Sequence, residues 1–243
     1  MHRIIVTLLA GFAFIAVASG SASAASAAPV AWTGCYIGAN VGYGWAPTNW
    51  NDHGIEFVAH GANGAVGGGQ IGCDYQSGPW VLGIQGMLNA AGMKGSSANL
   101  FLDPAGAVID STNVSAFATL TGRFGYAIEP ATLLYVKGGA AWVRSSFKQC
   151  CDPTVVIQDS LGPLNDGIAD VTRTGWTIGA GLERMFAPNW SAFVEYNFIG
   201  LGSSPVRFSP INAAPGPFIY HIDQNVHAVL VGLNYRFGRS GSQ

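Results

Sequence analysis

Asn113-Val114-Ser115-Ala116-Phe117-Ala118-Thr119-Leu120-Thr121-Gly122-Arg123-Phe124-Gly125-Tyr126 decides how this chain folds. Its even positions carry Val, Ala, Ala, Leu, Gly, Phe and Tyr, and its odd positions are mostly Asn, Ser, Thr, Arg and Gly. Successive side chains of a strand point to opposite faces, so the stretch is predicted to be a strand with one apolar and one polar face. About eight segments of this kind recur along the chain. Helical periodicity is almost absent.

The chain starts with basic His2-Arg3, runs nearly wholly apolar from Ile4 to Val17, and turns Ser/Ala-rich with A-x-A at Ala22-Ser23-Ala24 and Ala25-Ser26-Ala27. This is the pattern of a secretory signal peptide over residues 1–27, with cleavage between 24 and 28 and the exported domain over 28–243. A membrane-anchor helix is the alternative, but the apolar core is shorter than the ~20 residues a spanning helix needs. Trp32-Thr33-Gly34-Cys35 has the outline of a lipoprotein processing site, yet Cys35 lies far beyond the apolar core.

Only 10% of residues are charged, against roughly 25% in soluble domains, while 34 are Gly and 12% are aromatic. No other run of ~18 apolar residues exists, which excludes spanning helices. Low charge, alternation and export are reconciled if the apolar face meets lipid and the strands close into a ring that satisfies every backbone group. A net charge of −2 without a basic stripe argues against a nucleic-acid partner.

Strands are predicted at about 32–45, 63–76, 80–92, 112–126, 132–146, 172–185, 190–201 and 224–237. Short Pro-bearing links at Gln76-Ser77-Gly78-Pro79, Ala127-Ile128-Glu129-Pro130-Ala131 and Phe186-Ala187-Pro188-Asn189 alternate with long ones at about 46–62, 93–111, 147–171 and 202–223. Short periplasmic turns and long extracellular loops make this an eight-stranded antiparallel up-and-down transmembrane β-barrel with both termini in the periplasm. A soluble sandwich or lipocalin core has the same alternation and is the competing architecture.

The predicted lipid-facing parity includes Ile37, Val41 and Trp45, Leu82 and Ile84, Val136 and Ala140, Trp176 and Ile178, and Val231 and Tyr235, with Trp and Tyr near strand ends as in interfacial girdles. The opposite parity carries Gln70, Asp74, Gln85, Asn89, Arg123, Lys137, Glu183, Glu195, Asn197 and Arg236. Eight strands enclose a bore just wide enough for side chains, and charges held there must pair. An interior network is therefore predicted in which Glu183 and Glu195 meet Arg123, Lys137 or Arg236. A continuous ion pore lined by the same groups is the alternative.

Trp32-Thr33-Gly34-Cys35-Tyr36-Ile37-Gly38-Ala39-Asn40-Val41-Gly42-Tyr43-Gly44 resembles the first strand of the small outer-membrane proteins of rhizobia and brucellae, the Omp25/Omp31-like group of the OmpA-type β-barrel superfamily, often labelled porin-like. Gly122-Arg123-Phe124-Gly125-Tyr126-Ala127, Gly175-Trp176-Thr177-Ile178-Gly179 and Val231-Gly232-Leu233-Asn234-Tyr235-Arg236-Phe237 extend the likeness over the exported chain. The resemblance implies an eight-stranded outer-membrane barrel serving envelope integrity and surface exposure, with no catalytic residues. It also implies an assembly signal in the last strand, carried here by Tyr235 and Phe237 and read by the barrel-assembly machinery. Members usually end on that aromatic; this chain continues through Gly238-Arg239-Ser240-Gly241-Ser242-Gln243, and its four Cys are unusual.

Cys35 and Cys73 share the outward parity and fall opposite each other if the first two strands form a hairpin. Export to an oxidising compartment makes a cross-strand disulfide the expectation, two small apolar side chains in lipid being the alternative. Cys150-Cys151 reads as free thiols or an intermolecular bridge. His53, Glu56, His60, His221 and Asp223 could converge on one metal at the outer rim, but loop His and Asp are ordinarily solvated, and Asp152, Asp159, Asp166 and Asp170 make the third loop acidic. His227 has no Ser in a recognisable motif and no carboxylate at matching parity, so no enzyme, metal or cofactor is expected.

The sequence thus points to a structural outer-membrane barrel, with a narrow diffusion channel and a surface adhesin as alternatives. Its expected partners are outer-membrane lipid and lipopolysaccharide, the barrel-assembly machinery, and a host or envelope ligand at the loops.

Overall fold

The computed structural model describes residues 32–52, 55–98, 108–151, 167–210 and 218–237. The signal peptide, Asp152, Asp159, Asp166 and residues 238–243 lie outside them, as do the side chains of His53, Glu56, Cys150 and Cys151. Eight strands form an antiparallel closed barrel in sequence order: β1 (Gly34–Asp52), β2 (Ile55–Ser77), β3 (Trp80–Ala98), β4 (Val108–Glu129), β5 (Thr132–Cys151), β6 (Gly167–Ala187), β7 (Trp190–Pro210) and β8 (Phe218–Phe237). β8 closes on β1, with Cys35 opposite Phe237, so both described ends lie at the end of the barrel that carries the short turns.

Following hydrogen-bonded partners from Cys35 through Cys73, Ile84, Gly122, Gly138, Ile178, Phe198 and His227 returns to β1 at Trp45, ten residues further on. With strands ~4.8 Å apart and a rise of ~3.3 Å per residue, that stagger gives a tilt of about 40° and a radius of about 8 Å to the backbone. Two opposed side chains fill such a bore.

The strands are 19 to 23 residues long, about twice the 9–11 that a bilayer requires. The predicted long links at 46–62, 93–111, 147–171 and 202–223 therefore begin and end in strand: β1 and β2 stay paired through Thr48↔His60 to Asp52↔Ile55. Boundaries read from the sequence follow outward apolar residues, and lipid demands those only within the bilayer. On β5 the outward face runs Leu134, Val136, Gly138, Ala140 and Trp142, then turns polar at Arg144, Ser146 and Lys148. Above Trp45, Trp142 and Trp176 the wall no longer has a hydrocarbon surface.

The stretch from Asn113 to Tyr126 needs one correction. Its outward apolar parity holds at Leu120, Phe124 and Tyr126, but a bulge shifts the β4/β5 register between Val114 and Ala116. One extra residue reverses the faces: Val114 and Phe117 both point inward, fully buried. A second correction concerns Trp32, placed at the start of the first strand by the sequence. It precedes β1, and Gly34 at φ 136° turns the chain so that the indole sits under the barrel mouth, buried.

The ring is not uniformly laced. β2 and β3 are last paired at Asn63↔Lys94, and β6 and β7 lose their pairing between Trp176↔Gly200 and Ile168↔Ser209. The other described ladders continue upward, so above the apolar band the wall forms one sheet of β7, β8, β1 and β2 and another of β3, β4, β5 and β6, rejoined where Ile168 and Gly167 pair with Ser209 and Pro210. Phe147 and Ala169 of the second pack on Val206, Phe208, Tyr220 and Ile222 of the first.

Candidate functional site in the barrel interior

The inward face of the half that carries the short turns holds a charged layer supplied by alternate strands. Asp74 on β2, Arg123 on β4, Glu183 on β6 and Arg236 on β8 meet at the axis, all 5% exposed or less. Arg123 Nη1 donates to Asp74 Oδ2 at 3.3 Å and Nη2 to Glu183 Oε2. Arg236 Nη2 donates to the same Asp74 oxygen at 2.8 Å and to Glu183 Oε1 at 3.1 Å. Two cations and two anions so form a closed square spanning the bore.

The intervening strands supply the next layer. Lys137 Nζ on β5 donates to Glu195 Oε1 on β7 at 2.7 Å and to Gln85 Oε1 on β3 at 2.9 Å. Tyr135 donates to Glu195 Oε2 at 2.9 Å and Asn197 to Oε1 at 2.8 Å. Ser191 and Asn234 donate to Glu183 Oε1 at 2.5 and 3.0 Å, and Gln70 links Asn234 to Asn40. Buried charge is tolerable when its remaining lone pairs and protons are bonded in this way.

Aromatic rings complete the seal. The Arg123 guanidinium lies 3.7 Å from the Tyr135 ring centroid, and that of Arg236 lies 4.8 Å from both Trp32 and Tyr36. Glycine makes the room for two of these rings: a methyl at Gly72 would collide with the Tyr36 phenol, and one at Gly181 with that of Tyr135. Arg236 Nη1 also donates to the Trp32 carbonyl at 2.9 Å, tying the stopper to the charged layer. Below it Trp32 packs with Val81, Leu133, Tyr135 and Met185.

Above the charges lies an apolar layer that the sequence reading does not contain: Val66, Met87, Met93, Val114, Phe117, Ile199, Val226 and Leu230 among others, all inward and buried. The interior therefore alternates apolar floor, charged layers and apolar layer, with buried Thr48, Ser145 and Gln224 as a polar belt above them.

The structure brings together all five residues of the predicted network, in two groups: Glu183 with Arg123 and Arg236, and Glu195 with Lys137. Strand parity places Asp74 inside but gives it no partner. A charge count would have found one, since three inward cations face only two anions in the predicted network. Tyr36, Ser191 and Asn234 are further members that share the inward parity, and Trp32, which precedes β1, is one that parity does not reveal.

Cys35 and Cys73, paired across β1 and β2, are joined by a disulfide on the outward face. Tyr235 and Phe237 point outward at the end of β8, 42% and 44% exposed. His60 faces the interior, 2.8 Å from Thr112 Oγ1, whereas His221 points outward, so the wall separates two residues of the candidate metal site. His227 belongs to the outer girdle, stacked on Trp45 with centroids 5.1 Å apart and bonded through Nδ1 to the Tyr196 hydroxyl at 2.7 Å.

A family model described as outer membrane protein beta-barrel domain matches residues 12–237. The chain is 31% identical over 233 residues to the 31 kDa outer-membrane immunogenic protein of Brucella melitensis, covering 88% of this chain and 89% of that one. It is 30% identical over 190 residues to an uncharacterized protein of Coxiella burnetii, covering 72% and 70%. Among solved structures, the outer membrane protein OprG from Pseudomonas aeruginosa superposes with a TM-score of 0.50 at 10% identity, over 84% of this chain and 96% of that one, a likeness of fold alone. A closed eight-stranded ring with an apolar exterior and a self-satisfied backbone is what a bilayer requires, and with these matches the chain belongs to the outer-membrane β-barrel family of Gram-negative bacteria, beside the Brucella 31 kDa protein.

Proposed function

We propose that this protein is a closed, structural barrel of the outer membrane that supports the envelope and presents surface loops, rather than a conducting channel. One observation carries the reading: the bore is crossed by successive layers of side chains that bond to or pack on one another, with Arg123, Glu183, Glu195 and Arg236 at 1–2% exposure and the apolar layer above them. Ions would have to break a paired charge layer and then cross a hydrocarbon one, both costly.

The orientation that fits has both termini in the periplasm, beside the short turns at Gly78, Pro130 and Pro188, and the extended halves of the strands outside the cell. Its lipid partners are the acyl chains and lipopolysaccharide around the apolar band. Tyr235 and Phe237 serve as the assembly signal for the barrel-assembly machinery, the chain being exported by its signal peptide. His227, held among aromatic rings, has no hydrolytic role.

A deletion strain should become sensitive to bile salts. Complementation with a variant in which residues 99–107, 152–166 and 211–217 are each replaced by short Gly/Ser turns should restore resistance fully. If only the intact loops restore it, the loops and their ligand, not the barrel, carry the function.

A further inference from the structure

Arg173, on β6 just above the outer aromatic Trp176, differs from every other buried cation of the lumen among the described residues. Arg123, Lys137 and Arg236 each contact a carboxylate. Arg173 is 7% exposed and forms no ion pair among the described residues; Asp223 on β8 acts on it only through space. Its Nη2 donates to the carbonyls of Gly202 at 2.6 Å and Ile222 at 3.0 Å, with Leu201 at 3.5 Å. Its Nε and Nη1 have no partner among the described residues. A buried guanidinium with a free Nε–H and a free Nη1 amine, and no counter-charge in contact, is an expensive arrangement that an anion would relieve.

The second observation is the wall beside it. From Ala169 to Gly175 on β6 and from Leu201 to Phe208 on β7 no ladder pairs join the two strands, although pairing resumes at Ile168↔Ser209. The break is built in: Gly202 stands at φ 64° and β7 is bulged against β8 between Gly200 and Ser203. Val171, Val206 and Phe208 line its inner side. The wall thus has an unpaired seam, a slit in the hydrogen-bond ladder closed above and below, with an uncompensated cation behind it and apolar side chains alongside.

We propose that this slit between β6 and β7 is a lateral binding site for a phosphate group, with Arg173 as its cation. Phosphate fits because a guanidinium with several free donors bonds phosphate oxygens with charge assistance. The slit opens immediately above Trp176, 56% exposed in the outer girdle, at the depth of lipid headgroups, which makes a phosphorylated outer-leaflet glycolipid the natural source and a free phosphate the other. That depth rests on the orientation proposed above; binding to the purified protein does not.

The test uses delipidated full-length protein folded in a non-ionic detergent, titrated with lipid A, with lipid A stripped of its phosphates, and with inorganic phosphate, binding being read by native mass spectrometry. Lipid A should bind, and R173Q, V171D or removal of the phosphates should each weaken it at least about tenfold. V171D keeps Arg173 and gives it an internal carboxylate on the same face of β6, so it carries the test if R173Q does not fold. Failure of inorganic phosphate to compete assigns the site to the lipid; binding and competition by it assign the site to the free anion. Equal binding of lipid A and its stripped form, or equal binding by wild type and V171D, would overturn the proposal and leave the closed-barrel reading standing.

Discussion

Ile178 and Ile219 both point out of the wall and are equally exposed, 54% and 53%, but they belong to opposite halves of the molecule. Ile178 lies between Trp176 and Ala180 in the apolar band, paired with Phe198; Ile219 lies in the extension, opposite Arg207. Around Ile178 the exterior is hydrocarbon-like, the interior is charged and the ladder is continuous. In the half that holds Ile219 the exterior carries Arg207 opposite it and Lys94, Arg144 and Lys148 on the other sheet, while the interior packs Phe147, Phe208 and Tyr220 and the ring is unlaced between β2 and β3 and between β6 and β7. The polarity of the wall inverts between the two halves, because the solvent outside it changes. Inside lipid the wall must satisfy every backbone group by closing; outside it, water can do so, and two sheets packed face to face suffice.

The comparison predicts where the barrel breaks. The largest effect is expected in the lower half from Glu183→Gln, which weakens the pairing of Arg123 and Arg236 together: a loss of about 3–5 kcal/mol, measured as a fall in the urea midpoint of heat-modifiable protein in lipid vesicles. Lys137→Met alone should cost a comparable amount by stranding Glu195. With Glu195→Leu added, most of that loss should return, since an apolar pair needs no compensation; a double variant as unstable as the single one would argue that the pair itself holds the barrel together.

Ile178→Arg and Ile219→Arg sharpen the comparison directly. The first should cost about 2–4 kcal/mol as a charge in the hydrocarbon band, and the second should stay within about 0.5 kcal/mol. Similar penalties in the same folding assay would erase the boundary drawn at Trp45, Trp142 and Trp176. The smallest effect belongs to the rim that carries the short turns, where Arg184 and Glu129 approach to 4.0 Å while 69% and 63% exposed. Glu129→Gln should change stability by about 0–1 kcal/mol, against several for the buried pairs.

The lower half is legible in the sequence because lipid enforces one rule on every strand: an outward apolar residue every second position. That rule locates all eight strands, sets the face of each interior charge and puts Cys35 opposite Cys73. It fails where a different constraint takes over. The bulge beside Ser115 turns Val114 inward against the parity, onto the same face as Phe117, and nothing in Val-Ser-Ala-Phe marks an inserted residue. The inward apolar layer is hidden because Met87 and Leu230 satisfy the same alternation whether their neighbours are charges or methyl groups. The extensions beyond about 46, 93, 147 and 202 read as loops because water relaxes the outward pattern there, leaving only propensity to show that strands continue. Arg173 escapes notice for a related reason: inward parity says a residue is inside, not whether anything inside answers its charge.

The claim that the lumen is filled meets its most direct test in single-channel recording from purified, folded protein in planar bilayers, free of trimeric porin. The layers predict no steady conductance from wild type, and a measurable leak once Glu195 and Phe117 are both replaced by Ala in a variant that still folds. A large, reproducible wild-type conductance would contradict the filled bore and make the protein a channel.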